Sequence, residues 1–65
     1  MILTEMGEYV NPAFIESAWT EHDRYTGKYV ICIRTRSDRT RRLSGQYEDE
    51  AQAVAGIQSQ IGERW

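Results

Sequence analysis

Nine consecutive positions, Arg34-Thr-Arg-Ser-Asp-Arg-Thr-Arg-Arg42, contain five arginines and one aspartate. A guanidinium stays charged at any physiological pH, and its planar fork of N–H donors matches the oxygens of a carboxylate or a phosphate. The chemistry available to such a cluster is that of gripping anions. The chain around it has the opposite sign: net charge is -2, of which residues 34–42 carry +4, so three bases and nine acids leave -6 for the rest.

The other reactive side chains form no recognisable catalytic set. Zinc takes three or four convergent ligands, whereas this chain has one histidine, His22, and one cysteine, Cys32. The acids lack the dense spacing of a calcium loop. His22 would act as a base only if the fold brought a nucleophile and an orienting group to it, and in its polar surroundings it reads as a solvated loop residue. Glu48, Asp49 and Glu50 resemble an acid–base trio, but their place at the start of an apolar-periodic segment is that of carboxylates complementing a helix N-terminus. The glycines at 7, 27, 45, 56 and 62 form no phosphate-cradling loop. No metal, cofactor or enzymatic activity is expected.

The element that would present the arginines is a β-hairpin. Residues 28–36 are rich in Tyr, Val and Ile and suit a strand; a turn near Ser37-Asp38-Arg39 leads into a return strand over 40–47. Parity fixes the faces. An odd loop sets Ile33 opposite Leu43, Ile31 opposite Gly45 and Tyr29 opposite Tyr47, gathering the apolar groups on one side. It sends Arg34, Arg36 and Arg42, with Val30, Cys32 and Ser44, to the other, and leaves Arg39 and Arg41 at the tip and edge. Val30 and Cys32 then form an exposed apolar strip beside the arginines.

Upstream, two short β-compatible runs flank Gly7, which can take the positive φ of a tight turn. Asn11-Pro12 ends the second run, and one helical turn over 12–14 follows. Residues 15–21 suit a further strand, although 14–19 also pass as a short helix; 22–27 read as a loop. The C-terminal segment 48–65 is the clearest helix, with Ala51, Val54, Ile57, Ile61 and Trp65 on one stripe and Asp49 and Gln52 at capping-box spacing. The fold class expected is α+β, a single domain in which a four-stranded antiparallel β-meander carries one C-terminal helix on one face (ββββα).

A chain of this length buries only about 60% of its unfolded surface, so a partner or a second copy would add to its stability. A lone cysteine argues against a secreted disulfide scaffold, and no apolar run approaches the length of a membrane span, which together point to a soluble, cytoplasmic protein. Arginine favours protein interfaces, and Trp65 is either the last piece of the core or an interface anchor. The sequence therefore predicts a protein-binding module using Arg34, Arg36, Arg39, Arg41, Arg42 and Trp65, with a homodimer as one arrangement. Binding to a nucleic-acid backbone through the same arginines is the alternative. A small-ligand pocket at a dimer seam is a third.

The stretch Gly7-Glu-Tyr-Val-Asn-Pro-Ala-Phe-Ile15, followed far downstream by Tyr47-Glu-Asp-Glu-Ala51, resembles the small FlbD/SwrD-type flagellar proteins and comparable short phage proteins. The resemblance implies a compact, non-enzymatic accessory protein, and it transfers no functional residue. This sequence departs from that pattern in its long 22–27 loop and its arginine-rich hairpin. Small acidic domains of this build also serve phages and mobile elements as inhibitors of host machinery, an analogy of size and charge.

Overall fold

The computed structural model describes residues 1–62. It is an α+β fold of five strands and one helix: β1 (Ile2–Leu3), β2 (Tyr9–Val10), β3 (Ile15–Asp23), β4 (Lys28–Thr35), β5 (Thr40–Arg42) and α1 (Glu50–Gln60). The four-stranded meander expected from sequence is instead a two-stranded sheet, β1-β2, and a three-stranded one, β3-β4-β5, all pairs antiparallel. They are stitched together at β5, where Thr4 bridges Leu43, Glu5 N–H donates to the Arg42 carbonyl and Ser44 N–H donates to the Leu3 carbonyl.

Local chemistry explains each corner. Gly7 (φ 83) closes the first hairpin, with Thr4 N–H donating to the Glu8 carbonyl and Gly7 N–H to the Thr4 carbonyl. Pro12–Phe14 is a single 3₁₀ turn with Pro at its start, capped by the Asn11 side chain, which accepts from Ala13 N–H at 3.0 Å. After it the chain takes the strand alternative rather than the helical one. Strand β3 also runs two residues past its expected end. The Asp23 carboxylate accepts from Tyr25 N–H and Gly27 adopts φ 73, which tightens the reversal to residues 24–27 and frees His22 and Asp23 to pair with Tyr29 and Lys28. His22, expected in a loop, thus lies on a strand with its ring 4.9 Å from that of Tyr29.

The parity of the arginine hairpin holds, but its register differs by two. Cys32 pairs with Arg42 and Ile33 with Arg41, while Leu43 N–H donates to the Ile31 carbonyl. The loop is Arg36-Ser37-Asp38, one position earlier than expected, because a three-residue loop of this kind needs a left-handed residue in third place. Asp38 takes it (φ 61), a conformation aspartate tolerates far better than arginine. Tyr29 still bridges Tyr47 as expected. Three residues, Ser44-Gly45-Gln46, therefore face the single Val30 between the two pairings, and the return strand breaks there, with Gly45 at φ 110.

The core gathers Ile2, Ile15, Ile31, Ile33, Leu43 and Ile57. The helix meets it along Ala53, Gly56, Ile57 and Ile61; of the stripe read from sequence, Ile57 and Ile61 pack on the core as expected, whereas Ala51 and Val54 are exposed. Small residues explain the rotation. A Cβ on Gly56 would stand 2.6 Å from the Tyr47 hydroxyl, so glycine lets the helix lie directly on the tyrosine ring and brings Ala53 to zero exposure. Asp49 caps the helix, accepting from Gln52 N–H at 2.8 Å, and Glu48 pairs with Lys28. Trp65 lies outside the described residues.

Candidate binding groove

The five arginines separate onto two faces. Cross-strand pairing places Arg34 and Arg42 on the outer face of the sheet, in rows with Ser17 and Thr40 and with Trp19 and Cys32. Arg36, expected beside them, belongs to the loop and joins Arg39 and Arg41 on the rim of a groove of about 400 Å³ on the other side. The opposite wall of the groove comes from the first hairpin and the 3₁₀ turn: Glu8, Tyr9, Val10, Asn11 and Phe14, with Met1 at one end.

Two hydrogen bonds set the spacing of the walls. Arg36 N–H donates to the Phe14 carbonyl at 3.0 Å, tying the tip of the arginine hairpin to the 3₁₀ turn, and the Asn11 cap fixes that turn in place. Pro12 then directs Phe14 outward, 53% exposed, and Tyr9 on the short strand beside it is 68% exposed. Two aromatic rings left half in water on a domain with so little core face guanidinium groups across the gap. Such rings offer flat apolar surface that can stack on planar groups or cover an incoming side chain.

Charge within the groove is unevenly compensated. Arg41 is the least exposed of the ion-paired basic side chains among the described residues, at 28%; its Nε donates to Glu8 Oε1 at 3.0 Å and its Nη1 to the Thr40 carbonyl. Arg36 and Arg39 are exposed and form no ion pair among the described residues. Three guanidinium groups and one carboxylate leave the side chains of the groove at +2 within an acidic molecule.

The outer face corrects the expectation of an apolar strip. Val30 and Cys32 are 5% and 1% exposed, covered by their own neighbours: Trp19 is half-buried in the row of Cys32, Glu21 accepts the thiol's hydrogen bond, and Arg42 reaches Asp23 at 3.7 Å. That strip offers no seam for a second copy. A smaller depression of about 220 Å³ lies over Cys32 between Glu5, Glu21 and Arg42. Burial, the bond to Glu21 and its charge push the Cys32 thiol up to about 12, which keeps it protonated and unreactive.

Among the described residues, no group of three His, Cys, Asp or Glu side chains converges on a metal-sized site, and no helix is long and apolar enough to cross a membrane. Sequence reading found the groove's arginines but missed Glu8, Tyr9, Val10 and Phe14. The signal lay in Asn11-Pro12, which places two aromatic residues around a tight turn where neither can reach the core. No family model, curated protein or solved structure matches this chain.

Proposed function

We propose that this chain is a small non-enzymatic accessory protein that binds an acidic segment of a protein partner in the groove between its two outer hairpins. The observation that carries the reading is the juxtaposition of two unpaired arginines, Arg36 and Arg39, with the exposed rings of Tyr9 and Phe14. Arginine and aromatic side chains dominate binding energy at protein interfaces. A volume of about 400 Å³ accommodates a few side chains of a peptide. By size and charge such a module suits the inhibition or modulation of larger host machinery, in a phage or mobile-element setting.

One specific observation favours a second reading: aromatic rings beside arginines are also how single-stranded nucleic acid is held, by stacking bases and tracking phosphates. The acidic remainder of the molecule weighs against it. Outside residues 34–42 the chain carries -6, with Glu5 and Glu16 among its exposed carboxylates, and so repels a polyanion. A salt series separates the two. Fluorescence anisotropy with labelled single- and double-stranded oligonucleotides, from 50 to 300 mM salt, is expected to show no salt-sensitive binding. A pull-down should recover a partner that the Arg36→Ala/Arg39→Ala variant loses. Salt-sensitive oligonucleotide binding abolished by the same two substitutions would sink the peptide reading.

A further inference from the structure

Arg41 is the least exposed of the three arginines in the groove, and its partner comes from the opposite wall. Glu8 follows the first hairpin turn, 33 positions from Arg41, and its carboxylate crosses to Arg41 Nε while half of its own side chain stays in water (49% exposed). Tyr9, the next residue, presents its ring on the same wall. Glu8 and Tyr9 thus set a carboxylate beside an aromatic ring at the arginine rim, as an acidic, aromatic peptide would.

Building on the peptide-binding reading above, we propose that Glu8 is a built-in stand-in for the partner's carboxylate. The occupant is then an acidic peptide with an aromatic or large aliphatic anchor, one of whose carboxylates replaces Glu8 on Arg41 while others meet Arg36 and Arg39. Three arginines against one internal carboxylate leave room for two unassisted contacts and one exchange. The exchanged contact is the most desolvated of the three, and there a charge-assisted hydrogen bond discriminates best between a carboxylate and an amide. Exchange also tempers affinity. The peptide must displace an exposed ion pair of the kind that contributes little, so Glu8 lowers binding by a small factor and selects against ligands that bring a single carboxylate.

The probe is a capped, fluorescein-labelled hexapeptide of alternating aspartate and phenylalanine, with an asparagine-for-aspartate counterpart, measured by anisotropy at 50 mM salt. Wild type should bind the acidic peptide at least tenfold tighter than its amide counterpart. Glu8→Gln, which removes the competitor at constant shape, should bind it about two- to fivefold tighter than wild type. Glu16→Gln, an equal charge change outside the groove, should match wild type. Arg36→Ala/Arg39→Ala should weaken binding at least tenfold. If Glu8→Gln binds no tighter, or Glu16→Gln gains as much, the stand-in role is overturned while the loss on removing the arginines keeps the peptide reading. If neither wild type nor Glu8→Gln distinguishes the acidic peptide from its amide counterpart, the peptide reading itself fails.

Discussion

The two hairpins that face each other across the groove share one turn and carry opposite charge. In the first, Thr4 and Glu8 close a loop of Glu5-Met6-Gly7; in the second, Thr35 and Arg39 close a loop of Arg36-Ser37-Asp38. Each has the same two backbone bonds, threonine N–H to the closing residue's carbonyl and the third loop residue's N–H to the threonine carbonyl. Each puts its third residue in the left-handed region, Gly7 at φ 83 and Asp38 at φ 61. Backbone geometry is therefore held constant while side chains are varied, and what differs is anchorage. Thr4 is 1% exposed, its hydroxyl accepting from Glu8 N–H at 3.2 Å, whereas Thr35 is only half-buried and its hydroxyl meets Ser37 at the surface. The acidic hairpin is docked into the core through its threonine, whereas the threonine of the basic hairpin lies at the surface.

Breaking the joint between them should have the largest effect. Leu43, 2% exposed, lies where the hairpins meet, and Leu43→Ala should cost about 2–5 kcal/mol, enough to unfold much of so small a domain at 37 °C by circular dichroism. Alkaline pH should come next, through β4, the strand that carries the basic hairpin. An unfolded thiol ionises near 9.0 and the native Cys32 near 12, so above 9 the unfolded state releases a proton that the native state keeps. Stability should hold below pH 9 and then fall by about 1.4 kcal/mol for each further pH unit toward 12, a component absent from Cys32→Ala in urea titrations.

The anchoring difference itself is tested by equivalent substitutions. Thr4→Val should lower stability by about 1–2 kcal/mol through the lost buried hydrogen bond, and Thr35→Val by under about 0.5, measured as shifts in urea midpoint. Equal losses would mean that both hairpins are docked alike. Turn residues give smaller, opposite changes: Gly7→Ala should destabilise by about 1 kcal/mol, and Asp38→Gly should be neutral or stabilising by a few tenths. Smallest of all, a double-mutant cycle on Glu8 and Arg41 should return about 0.2–1 kcal/mol, the range of exposed ion pairs.

Much of the second hairpin was legible because alternation in Tyr29, Ile31 and Ile33 admits only one parity, and parity alone sorts side chains between faces. Its register was not, since that depended on whether aspartate or arginine would occupy a left-handed position. The N-terminal hairpin and the helix start were read from Gly7 and Asp49, residues whose local chemistry decides their conformation. The helix stripe was right at Ile57 and Ile61 and misled in its first turns, because hydrophobicity ranks Val54 above Ala53 and Gly56, whereas closeness to the Tyr47 ring favours the small residues. The groove was half visible. Charge announces itself in sequence, but Glu8, Tyr9 and Phe14 become a wall only when residues some 30 positions away fold up to them, and no short-range pattern encodes that distance. The same folding hid Val30 and Cys32 beneath Trp19, Glu21 and Arg42.

The bond from Arg36 N–H to the Phe14 carbonyl is made entirely by main chain. None of the charged or aromatic side chains lining the groove makes that tie, so substitutions at Arg36, Arg39, Tyr9 or Phe14 change the lining of the gap while the main-chain bond and the Asn11 cap that set its width stay in place. The domain is in this respect like a clamp with interchangeable jaws: the lining of the gap can vary in sequence without any change to the main-chain tie on which the jaws are mounted.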